Sequence, residues 1–149
     1  MWQALGMDLD GKDRDQPWSA AFISFVVRNA GYQGFRFAAA HARYIHNAIV
    51  NQQQGAVEAP FWGFRLTEHR PKLGDLVCQW REIPRTFAEA AEKDSFKSHC
   101  DVVVELNDTF VRAIGGNVKQ SVAMKTFSLN AGGVLKNANR VFAILRNNL

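Results

Sequence analysis

The sequence predicts an α+β fold, with N-terminal helices packed on a small antiparallel sheet. Two observations carry this. Helix-like stretches fall before residue 55, and short runs rich in Val, Ile and Phe fall after residue 75. At 149 residues the chain suits one domain, residues 1–149, with residues 1–16 as a lead-in.

Residues 8–16 (DLDGKDRDQ) are polar and charged, which suits an exposed lead-in. A buried helix is expected from Trp18 to Ala30. Pro17 precedes it, Ser19 serves as an N-cap or first-turn residue, and Gly31 suits the C′ position. A second helix is expected over Ala38–Gln52, where Ala42, Ile45 and Ile49 recur at helical spacing and the glutamines to Gly55 end it. Strands are expected at Leu76–Trp80, Cys100–Leu106, Phe110–Ile114, Val122–Phe127 and Val141–Leu145. Asn107-Asp108 reads as a hairpin turn, and Phe87–Lys93 as a short helical insert.

Composition narrows the function classes. Hydrophobic residues make up 47% and charged residues 21%, which excludes wholesale disorder. The net charge of +4 comes from basic residues spread along the chain, Arg14 and Arg28 to Arg146, as on a solvated surface. No nucleic-acid partner is expected from that distribution. Cys78 and Cys100 are too few for a disulfide scaffold or a structural zinc site; one bridge would suit an oxidising compartment. There is no 18-residue apolar run and no secretory signal, so at most peripheral membrane contact is expected. HExxH, GxxxxGK[ST] and GxGxxG are all absent.

Several residues could carry chemistry. Ser19 stands at a predicted helix start, where free N–H groups and the helix dipole favour a developing oxyanion. An ordinary capping serine would look the same. His99 opens a strand after a polar loop and could act as a base towards a neighbouring helix end, or be a plain edge histidine. Strand alternation puts His99 and Asp101 on one face and Cys100 on the other, so Cys100 should not share a proton with His99. Asn117 follows Ile114-Gly115-Gly116 and could orient an imidazole, although Gly-Gly-Asn also makes an ordinary turn. Gly74-Asp75 reads as a turn into a strand, and Cys78 as a small core residue. His41 and Tyr44 share a helix face and could line a cleft, although an exposed polar face is expected first, and His46 lies on the same helix.

The ordered string PWSAAFISFVVRNAG, HARYI, GDLVCQWR, SHCDVVVE and IGGNV resembles a bacterial family of uncharacterised domains over residues 17–145. That family in turn resembles the NlpC-type and CHAP-type cell-wall hydrolases, which have a papain-like fold. In those relatives a cysteine nucleophile heads a helix in a pattern like Asp-Cys-Ser-Gly-Phe-Val, and Ser19 occupies the matching seat here. The resemblance matches their Gly-Asp strand entry to Gly74-Asp75, their general-base histidine to His99, and their orienting polar residue to Asn117, with Asp101 the nearby carboxylate. A serine needs a base at attack rather than a preformed thiolate.

The resemblance implies an acyl-bond hydrolase of the bacterial envelope, foremost a peptidoglycan amidase or peptidase with a Ser19, His99, Asn117 or Asp101 site. An esterase or phospholipase on the same fold, or an inactive binding module, are the alternatives. No metal or organic cofactor is needed. The expected partners are a peptidoglycan fragment or a lipid ester, with an immunity or delivery protein beside them. The expected location is secreted or delivered to the periplasm, as for a wall hydrolase, a phage-type lysin or an antibacterial effector. Trp2 to Gly6 read as the tail of something larger.

Overall fold

The structure is a computed structural model that describes residues 1–10, 12–13, 15–136 and 140–149. Gly11 and Arg14, expected in the lead-in and the scattered basic set, lie outside the described residues. The elements in chain order are a 3-10 turn (Gln3–Leu5), α1 (Ser19–Asn29), α2 (His41–Gln53), β1 (Phe61–Phe64), β2 (Leu76–Trp80), α3 (Phe87–Glu92), β3 (Ser98–Leu106), β4 (Phe110–Val118), β5 (Ser121–Ser128) and β6 (Val141–Asn147). The result is a mixed α+β fold with one six-stranded sheet.

Local signals explain most of the boundaries. Gly31 takes a positive φ of 90° just past α1. Its N–H reaches Arg28 O and that of Tyr32 reaches Val27 O, which closes the helix in a Schellman motif. At α3, Thr86 and Glu89 form a reciprocal capping box. The β3–β4 hairpin is tied by Asn107, whose side-chain oxygen accepts from the Thr109 and Phe110 N–H groups.

The strands lie in the order β1-β6-β2-β3-β4-β5, all neighbours antiparallel. β2 to β5 run as a meander, and β6 returns to sit between β1 and β2. β2, β6 and the first half of β3 are buried on both faces. Leu76, Cys78, Cys100 and Leu145 pack with Ile23, Ile45 and Ile49 of the helices. Val77, Val103 and Ile144 pack on the other side with Val111, Phe127, Leu129 and Leu135. Among the described residues no helix is long and apolar enough to cross a membrane.

Three features differ from the sequence expectation. β1 was not foreseen: it is four residues long, and its partner β6 lies some 80 positions away. Gly63 lets this strand lie against α2, since a Cβ there would stand 2.9 Å from the Ile49 backbone. β4 does not stop at Ile114 but runs to Val118, with a register shift between Gly115 and Val118. Cys78 is buried, as a small core residue would be, but it stands directly opposite Cys100 and forms a disulfide with it.

Candidate functional site

Ser19 is the first residue of α1, with Trp18 as N-cap. The Phe22 N–H already reaches Trp18 O. The N–H groups of Ser19, Ala20 and Ala21 precede the first helical bond and have no partner within the helix. Gly116 allows this helix end to sit against β4. A Cβ on Gly116 would lie 2.7 Å from both the Phe22 Cβ and the Trp18 ring.

The Ser19 hydroxyl is hydrogen-bonded to His41, with Oγ 2.7 Å from Nε2. His41 was expected on the surface, yet it is buried at the start of α2, as is Tyr44 one turn on. The reason is legible in retrospect. His41, Ile45, Ala48 and Ile49 follow the i, i+4, i+7, i+8 spacing of a buried stripe, and the polar rings ride on it.

The hydrogen bonds around His41 determine which nitrogen carries its proton. The Cys100 backbone N–H points at Nδ1 from 3.1 Å, and the Tyr44 hydroxyl contacts the same nitrogen. A backbone N–H can only donate, so Nδ1 accepts and has no proton. The proton of the neutral ring is then on Nε2, and His41 donates to Ser19 Oγ. Burial holds the His41 pKa well below 6.5, and the nearby His99, Arg81 and Lys125 charges add to this. Burial pushes the Tyr44 phenol well above 10, with the Asp101 charge adding, so the phenol keeps its proton and donates.

His41 therefore makes stability depend on pH. Below 6.5 the unfolded chain takes up a proton that the folded ring refuses, which draws the equilibrium towards unfolding. Stability is expected to be full above pH 6.5 and to fall as pH drops towards the lowered value. Denaturant midpoints at pH 7.5, 6.5 and 5.5 check this, with His41→Gln flattening the slope. A flat wild-type profile over that window would contradict it.

His99 and Asp101 share a face, as alternation predicted. His99 Nε2 lies 2.8 Å from Asp101 Oδ1, and both side chains are buried. A carboxylate only accepts, so the proton is on Nε2 and His99 Nδ1 is left as the basic nitrogen. Lys125 on β5 reaches both Asp101 oxygens at 3.2 and 3.1 Å. The His41 and His99 ring centres are 5.1 Å apart. Asn117, expected as the orienter, lines the same cleft with a positive φ of 56°, while the bond to the His99 ring comes from Asp101. Asp75 sits at the other end of β2, where its carboxylate ties His69, Lys72 N–H and Asn147 N–H together as a structural knot.

Gly115 backs this pair. A Cβ there would overlap the Asp101 carboxylate and stand 2.7 Å from His99 Nε2. Gly115→Ala is expected to lower stability by about 1–3 kcal/mol and to break the His99–Asp101 bond. A thermal melt reads the first effect, and the imidazole nitrogen shifts of His99 by NMR read the second. Unchanged shifts would contradict it.

Ser19, His41, His99, Asn117 and Lys125 all face one open cleft of about 810 Å³, a size suited to a small ligand or a peptide segment. Among the described residues no group of three or more His, Cys, Asp or Glu side chains is placed to hold a metal ion. The model of a family described as an uncharacterised protein conserved in bacteria (DUF2272) matches residues 2–148. No curated protein and no solved structure matches the chain.

Proposed function

We propose that this chain, which belongs to that uncharacterised bacterial family, is an acyl-bond hydrolase of the cell envelope on a papain-like frame. A peptide or amide bond of peptidoglycan is its leading substrate. The observation that carries the reading is the Ser19 hydroxyl at a helix N-terminus, bonded to His41 in a cleft also lined by His99, whose ring is held from behind by the buried Asp101. The order of helix, β2, His99 strand and polar-residue strand agrees with the NlpC-type resemblance. The Cys78–Cys100 bridge supports work in an oxidising compartment such as the periplasm or the exterior.

The chemistry follows from the two imidazoles, both protonated on Nε2, playing different parts: His41 spends its Nε2–H on Ser19, whereas His99 spends its own on Asp101 and keeps Nδ1 as a base. Ser19 Oγ attacks the acyl carbon, and its proton passes to His99 Nδ1, directly or through one water. Asp101 holds the resulting imidazolium in place. The charge that develops on Ser19 Oγ before bond formation is met by His41 Nε2–H. The carbonyl oxygen turns towards the free N–H groups at the head of α1. His99 then returns the proton to the leaving amine, and water, activated by the same nitrogen, releases the acyl group from Ser19.

This division of labour answers the serine problem. A hydroxyl cannot be preformed as an anion, so one imidazole must lower the cost of the alkoxide while another takes the proton. Incubating the chain with purified sacculi should release new amino groups, and a fluorophosphonate probe should label Ser19. Absence of both would sink the reading.

A further inference from the structure

We infer that the cleft selects an acyl substrate bearing a free carboxylate near the scissile bond, held by Arg81, Lys119 and Arg140. The inference rests on the hydrolase reading for the word substrate, but the anion site itself stands on separate observations. Among the described residues five cationic side chains line the cleft, against one acid, Glu82. Two of the five are already neutralised: Lys97 pairs with Glu82 at 2.7 Å, and Lys125 with Asp101 at 3.1 Å. Among the described residues no carboxylate pairs with Arg81, Lys119 or Arg140. Three cationic residues without a carboxylate partner thus line the same cleft as Ser19, and such a wall concentrates anions.

Two further features point to an occupant. The Arg140 guanidinium lies 5.1 Å over the Trp80 ring, which limits its freedom and leaves its edge available for a planar acceptor. Ser98 Oγ, at the cleft wall, is buried with no hydrogen-bond partner among the described residues. A buried hydroxyl without a partner is uncommon, and an acceptor oxygen from a ligand would satisfy it. A guanidinium edge and a hydroxyl match the flat, two-oxygen geometry of a carboxylate. The few large apolar groups of the wall, Phe96 and Val118, suit a peptide better than lipid chains.

The test separates binding from catalysis. A Ser19→Ala chain is titrated by calorimetry with a soluble stem tetrapeptide of peptidoglycan, in free-carboxylate and fully amidated forms. The free form should bind about tenfold tighter at low salt, and the gap should narrow at high salt. Arg81→Gln with Arg140→Gln, added to Ser19→Ala, should erase the preference. Lys72→Glu, which changes net charge by the same amount on an exposed site at the far end of β2, should keep it.

Equal affinity for the two peptides would overturn the inference, as would a preference that survives the double arginine change. Binding to phosphatidylglycerol vesicles but to neither peptide would overturn it in favour of a lipid headgroup. Digestion of sacculi by the wild-type chain without a carboxylate preference would leave the hydrolase reading standing alone. A preference without digestion would leave the anion site standing and remove the hydrolase.

Discussion

Ser19→Ala is expected to slow amine release from sacculi by about 10⁶-fold, and Asp101→Asn by about 10⁴-fold. The two losses have different causes. Without Ser19 Oγ there is no nucleophile, and only binding and the N–H groups of α1 remain. With Asn at 101 the side chain can turn its NH₂ towards His99 Nε2, which favours the wrong tautomer and leaves the proton on Nδ1. The nucleophile is then intact, but its base is occupied. The folded state should survive both changes, because neither alters side-chain volume by more than one or two atoms. Circular dichroism and a thermal melt therefore accompany each rate. Asn117→Ala should cost less, about tenfold, because the ring of His99 is held by Asp101 rather than by residue 117. Equal losses at 101 and 117 would restore Asn117 to the orienting role.

Removing the disulfide with Cys78→Ala and Cys100→Ala is expected to lower the unfolding free energy by about 3 kcal/mol. The bridge closes a loop with a sequence separation of 22, and the chain-entropy relation gives that figure. For a chain of this size the melting temperature should drop by about 6–12 °C. The local effect is sharper than the global one. Cys100 lies between His99 and Asp101 in sequence, and its own N–H donates to His41 Nδ1. The bridge thus pins the stretch of β3 from which both imidazoles take their bearings. Activity in the double variant should fall even at temperatures where it is fully folded. A melting temperature within about 2 °C of wild type would show that the bridge adds little to this sheet.

Much of the site could be read from the chain before folding. Ser19 at a helix start, His99 at a strand start and the shared face of His99 and Asp101 all follow from local rules: capping, turn chemistry and a period of two. What could not be read was which of these groups touch. The resemblance matches Ser19 to His99, but the imidazole bonded to the Ser19 hydroxyl is His41, brought there by α2 packing its apolar stripe on the sheet. The spacing of Ile45, Ala48 and Ile49 already placed His41 on the buried side. The residue types His and Tyr argued for the surface, and the periodicity was the better guide. β1 carries no such local signal: its four residues gain their strand character only from pairing with β6, which is remote in sequence.

Sequence alone settled the class of fold, where most of its helices and strands lie, a hydroxyl at the head of α1, and the shared face of His99 and Asp101. Each depends on interactions within a few residues, so it is encoded where it occurs. Only the tertiary structure decided the His41 contact, the Cys78–Cys100 bridge, the tautomers of the two imidazoles and the gathering of Arg81, Lys119 and Arg140 on one wall. Apart from the His99–Asp101 bond, these depend on distances between residues some 20 to 60 positions apart, which are set by how the helices and strands bury their apolar faces together.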